Sequence, residues 1–124
     1  MIGRLFSIMI IGVLLFTVDG LGQNTWVKTY GGCNWDNGYS ILQTSDSGFV
    51  LTGYTYSNDG DFSGMNKGSG DIFVMKLNSS GDLVWKKTYG DSFPEEGFSV
   101  ITTTDGGYVL TGRTYSNDGV QWYE

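Results

Sequence analysis

Histidine is absent from this chain and cysteine occurs once, as Cys33, so the side chains able to do chemistry reduce to carboxylates, hydroxyls, amines and aromatic rings. Without His or clustered Cys there is no zinc-ligand set and no imidazole general base. A single cysteine forms no intramolecular disulfide, and Cys33 has no base in the sequence to activate it as a nucleophile. Among the carboxylates, Glu95 and Glu96 are neighbours after Pro94. A glycosidase pair needs two carboxyls held apart across a cleft, which sequence neighbours rarely satisfy, so these two are expected in a solvated turn. The segment Asn58-Asp59-Gly60-Asp61 is the better site candidate. Oxygen-bearing side chains around a glycine resemble the start of a calcium loop, and a hard cation takes roughly six to eight oxygens. Asn58, Asp59 and Asp61 are therefore the candidate metal ligands, with calcium as the cation. The full EF-hand pattern does not follow, and Asn or Asp can instead close Asx turns on the backbone; both readings stand.

These residues sit in a chain that repeats itself. Trp26 to Gly60 aligns without a gap onto Trp85 to Gly119 at an offset of 59 residues, with 20 of 35 positions identical. A fixed period of this size marks stacked or radial repeat architectures. Within each copy the pattern alternates with period two, as strands do. In Phe49 to Tyr56, Phe49, Leu51, Gly53 and Thr55 face one way and Val50, Thr52, Tyr54 and Tyr56 the other. Tyr108 to Tyr115 repeats that run. Gly38 to Thr44 and Gly97 to Thr103 precede them across Ser45-Asp46-Ser47-Gly48 and Thr104-Asp105-Gly106-Gly107, which is hairpin chemistry. Asp71 to Leu77 reads as a third strand, turned by Asn78-Ser79-Ser80-Gly81-Asp82 into Leu83 to Tyr89. No helical period is found outside the N-terminal segment. The expected fold is all-β, with antiparallel four-stranded β-propeller-like blades: a full one from Gly38 to Tyr89, half of another from Gly97 to Tyr115, and Trp26 to Tyr30 as an orphan last strand. Propellers close with roughly 4 to 8 blades, so the segment is expected to be part of a longer protein or to associate with itself through exposed strand edges.

The first residues read differently. Arg4 precedes the 14-residue apolar run Leu5 to Val18, and Gly20 and Gly22 sit at the spacing a signal peptidase recognises. Residues 1–22 are thus expected to be a helical signal peptide, leaving residues 23–124 as the partial repeat region. The run is short of the roughly 20 residues that span a bilayer. Export to the periplasm, the cell surface or the medium follows, with no stable membrane span after cleavage. The formal net charge of −6 disfavours nucleic acid, which asks for a basic footprint.

The motifs WVKTYGG, TSDSGFVLTG and DIFVMKLNSSGDLVWKKTYG resemble those of secreted bacterial β-propeller-type repeat proteins, whose units read approximately W-x-K-x-[YF]-G-G, T-x-D-G-G-[YF] and D-x-W-[VL]-x-K-L. The resemblance implies a propeller fold, export, and a place in long chains that often end in a type IX secretion sorting domain. It assigns no activity.

Comparison of the copies sorts the aromatic residues. Trp26 and Trp85, Tyr30 and Tyr89, Tyr39 and Phe98, Phe49 and Tyr108, and Tyr56 and Tyr115 recur, which points to packing. Trp35 and Tyr54 are replaced by Pro94 and Arg113. With Asp36 they form the candidate binding set, since a ring the repeat does not require is available for a sugar or a protein. Cys33 matches Ser92, as a small turn residue would. The expected function is a secreted or cell-surface binding or scaffold module for a protein or glycan partner, without catalysis of its own. Its display loops would be Asn34 to Asn37 and Ser57 to Gly70. The alternative is part of an extracellular propeller hydrolase or lyase whose catalytic residues lie outside this chain.

Overall fold

A computed structural model describes residues 26–116 together with the backbone of 8–10 and 13–15. Strands β1 (Ile8–Ile10) and β2 (Val13–Leu15) pair antiparallel, where a helix was expected. Ile8, Ile10 and Val13 are β-branched, stiff at χ1 and at home in an extended chain, and Gly12 stands in the sequence between the two runs. The cleavage position after Gly22 and the end of the second repeat, 117–119, lie outside the described residues.

Four strands follow in a single antiparallel sheet: β3 (Asp36–Gln43), β4 (Phe49–Thr55), β5 (Asp71–Leu77) and β6 (Leu83–Tyr89), in that spatial order. β7 (Glu95–Thr102) and β8 (Tyr108–Thr114) form a separate two-stranded sheet. The chain is thus all-β in its described part, built of one four-stranded and one two-stranded sheet. The two hairpins have equivalent ladders. Asp36 faces Thr55 and Gln43 faces Phe49, while Glu95 faces Thr114 and Thr102 faces Tyr108, each pair displaced by the repeat offset. Each ladder slips at the same place, between Gly38 and Ser40 and between Gly97 and Ser99. A bulge there explains the nearby glycines: a Cβ at Gly53 would lie 1.7 Å from the Asn37 carbonyl oxygen.

Both faces of the four-stranded sheet are covered. On one, Leu51, Phe73, Met75 and Leu77 pack with Tyr30 and Phe62, and Trp26, Ile41 and Phe49 flank them. On the other, Val50 and Val74 meet Val100 of β7, with Leu42, Trp85, Tyr89, Tyr108 and Leu110 around them. The second hairpin therefore lies across the first sheet, presenting its Leu110 face to the Val50 face. Alternation along β4 sends Leu51 to one cluster and Val50 to the other.

Two sequence expectations change here. Trp26 to Tyr30 is not a strand. No counterpart of β5 precedes it among the described residues, so it docks by side chains instead: the Trp26 indole donates to the Ser79 carbonyl at 3.1 Å, the Tyr30 hydroxyl donates to the Gly81 carbonyl, and Lys28 pairs with Asp82. Gly81, at φ +76°, makes the turn beneath the Trp26 ring. The loop from Ser57 to Gly70 is likewise no free display loop. It turns through a short 3-10 segment, Gly60–Phe62, and plants Phe62 in the core, 1 % exposed and 5.2 Å from the Phe73 ring.

Candidate functional site

The loops between sheets converge on the end of the structure where β3 and β7 begin. A buried carboxylate organises each hairpin there. Asp36 accepts hydrogen bonds from Thr55 Oγ1 at 2.5 Å, Ser57 Oγ at 2.8 Å and the Gly32 amide at 2.9 Å. One repeat later, Glu95 accepts from Thr114 Oγ1 at 3.0 Å, Ser116 Oγ at 2.5 Å and the Asp91 amide at 3.1 Å. The T-x-S spacing in each copy thus serves one purpose: two hydroxyls satisfy a carboxylate withdrawn from water. Glu95 is 2 % exposed, which overturns its expected place in a solvated turn. Its strand starts two residues earlier than the alternation suggested, because the carboxylate gains partners across the ladder from Thr114. Glu96, beside it, points the other way and pairs with Arg113 at 2.8 Å.

An array of rings runs over this end. Tyr39 lies 5.7 Å from Tyr54 and 5.5 Å from Phe98, and Tyr54 lies 5.4 Å from Tyr56, edge to face. The Arg113 guanidinium sits over Phe98 at 5.7 Å and over Tyr115 at 5.1 Å. The Asn37 side-chain amide donates to the Tyr54 hydroxyl. Tyr39, Phe98 and Tyr115 are each close to half exposed, and Trp35, on the adjoining loop, is 78 % exposed. Burial pushes the Tyr39 and Tyr56 hydroxyls above their usual range, and the neighbouring Tyr54 and Glu96 act in the same direction, so both are neutral donors at physiological pH.

Of the sequence-derived binding set, Trp35 stands in solvent, with its carbonyl accepting from the Tyr56 amide at 2.8 Å. Tyr54 lies inside the ring array. Asp36 is 8 % exposed and supports the loop from beneath. Arg113, Tyr39 and Phe98 belong to the array as well. Internal comparison passes over Tyr39 and Phe98 because they recur, and takes Arg113 only as the residue replacing Tyr54; that Tyr39 of the first hairpin meets Phe98 of the second across their seam is a tertiary fact.

The candidate calcium residues close a clasp. Asp59 Oδ1 accepts from the Cys33 amide at 2.8 Å, Asp61 Oδ2 accepts from the Gly31 amide at 2.9 Å, and the Asp61 amide returns a bond to the Gly31 carbonyl at 2.9 Å. These carboxylates thereby fasten the 31–33 loop. No group of three His, Cys, Asp or Glu side chains converges among the described residues. Cys33 is exposed, and the hydrogen bond and charge of Asp59 push its thiol upward, away from thiolate chemistry.

No protein-family model and no curated protein matches this chain.

Proposed function

We propose that this chain is a binding module of a secreted or cell-surface β-repeat protein of propeller type, acting by recognition rather than catalysis, and that its ligand is a glycan received on the ring array. The observation that carries this reading is the row Tyr39, Tyr54, Tyr56, Phe98 and Tyr115, partly open to solvent and edged by Arg113, Glu96 and Asn37. Sugar rings carry an apolar C–H face and a rim of hydroxyls, and aromatic faces set beside charged and amide groups match both. Trp35 stands exposed beside the loop that the Asp59 and Asp61 clasp holds. The signal peptide expected at residues 1–22 and the repeat resemblance support a location outside the cell.

Affinity electrophoresis and a glycan array test it. A Tyr39→Ala, Phe98→Ala double variant should lose about tenfold or more in affinity, the scale of removing a central aromatic contact. Retention of the wild type on outer-membrane proteins and on no glycan would reassign the ligand class. The clasp is tested separately. If Asp59 and Asp61 only fasten the loop, millimolar calcium leaves the melting temperature unchanged; a rise would restore them as cation ligands.

A further inference from the structure

Among the described residues the outer edge of β8 pairs with no strand, and the chain itself contains the template for what closes it. β4 and β8 are equivalent strands, with the same partners on the hairpin side and the same bulge opposite. β4 goes on to pair along its whole length with β5, from Phe49 opposite Leu77 to Thr55 opposite Asp71. Among the described residues no strand pairs with the corresponding edge of β8. Such an edge is a row of unpaired amides and carbonyls that invites another strand.

Beside that edge lies a groove of about 380 Å³ lined by Val74, Trp85, Lys87, Tyr89, Tyr108 and Leu110. Tyr108 and Leu110 are the counterparts of Phe49 and Leu51. In the first sheet those two belong to the cluster that holds Phe73, Met75 and Leu77, the alternate residues of β5. The groove is thus the space that side chains at the Met75 and Leu77 positions of an added strand, opposite Leu110 and Tyr108, would fill.

A third feature gives the added strand a charge. Lys76, opposite Val50, reaches back to the hairpin turn and donates to Asp46 Oδ1 at 2.9 Å and Thr44 Oγ1 at 2.8 Å. The second turn repeats the acceptors: Asp105 accepts from Thr103 Oγ1 and from the Gly107 amide at 3.2 Å, and no cation pairs with it among the described residues. A lysine opposite Val109 would complete it as Lys76 completes Asp46.

We infer that the β8 edge is an acceptor site for one antiparallel strand, occupied by an extended peptide segment of the β5 pattern: two long apolar residues two apart, at the Met75 and Leu77 positions, facing the groove, with a lysine between them directed at Asp105. Backbone pairing supplies the affinity and the alternate side chains the selectivity, as in strand addition generally. The register follows β4: Leu opposite Tyr108, Lys opposite Val109, Asp opposite Thr114.

The test titrates a synthetic peptide of residues 69–79 into the intact chain and follows amide hydrogen exchange along β8. Expected is one peptide per chain and about tenfold or greater slowing of exchange in Tyr108–Thr114. A peptide carrying Lys76→Glu should bind about tenfold more weakly, and the Asp105→Lys chain should recover it, because the opposed charges are then restored. Three results would overturn the inference: no protection at millimolar peptide, equal binding of a peptide with Met75→Ser and Leu77→Ser, or β8 protection that rises with protein concentration alone, which would give the edge to a second copy.

Discussion

Asp71 has one carboxylate oxygen, Oδ1, without a hydrogen-bond partner, although the residue is fully buried. Its Oδ2 accepts from the Lys67 amide at 3.1 Å. A Cβ at Gly90 would lie 2.6 Å from Asp71 Oδ1 and 2.6 Å from Glu95 Oε2, so both carboxylates crowd one small space that only glycine leaves open. Burial pushes the Asp71 carboxyl up, and the charges of Glu95 and Asp91 add to it. A raised native value means that the folded state holds the proton more tightly than the unfolded chain does. The contribution of Asp71 is complete below the ordinary carboxyl range and is lost as pH rises through its native value. Asp71→Asn should therefore be more stable than wild type at neutral pH, with the difference closing toward pH 4, read from urea midpoints across that interval. Asp46 runs the other way. Its hydrogen bonds from Lys76, then Thr44 and the Gly48 amide, hold its carboxyl well below the usual range. That contribution is present above the ordinary carboxyl range and fades as pH falls. Asp46→Asn should thus cost stability at pH 7 and progressively less in acid, and the same titration reads it.

Among the elements, the paired hairpin turns test how far two copies are interchangeable. Thr44 and Thr103 each open a turn that their amides close by donating to the Gly48 and Gly107 carbonyls at 2.9 Å. The residue at positive φ is Ser47 in the first turn, at +64°, and Gly106 in the second, at +86°. A left-handed conformation costs a residue with a Cβ about 1–2 kcal/mol, partly offset by the entropy glycine loses on folding. Ser47→Gly should stabilise by about 0.5–1 kcal/mol, and Gly106→Ser should destabilise by a similar amount, measured by chemical denaturation. The turns and six of the strands were legible because each carries its signal within a few residues: Asp and Gly for the turn, alternation for the strand. The starts at Asp36 and Glu95 were not. An acidic residue beside a turn reads as solvated, and only the hydroxyls of Thr55 and Ser57, or Thr114 and Ser116, arriving from across the ladder make it a buried strand residue.

In the whole molecule, stability rests on covering both faces of one sheet. Phe73 is 1 % exposed, between Phe62 of the long loop and the β4 core, and Phe73→Ala should cost about 3–5 kcal/mol, the usual range for emptying such a site. Because Val50, Val74 and Val100 tie the second hairpin to the opposite face, unfolding of that variant should remain one transition by fluorescence and by circular dichroism together. Two separate transitions would show that β7 and β8 fold independently. By itself the sequence determined the all-β class, the strand alternation, the hairpins and the 59-residue echo, since all of these follow from local periodicity and turn residues. Only the tertiary structure decided what covers each face. It put Phe62 into the core, gave Asp59 and Asp61 to the 31–33 loop, laid Trp26 to Tyr30 down without a ladder, and brought Tyr39 to Phe98. Each of these depends on which surfaces meet once the strands exist, and a contact between residues far apart in the chain leaves no spacing in the sequence from which to read it.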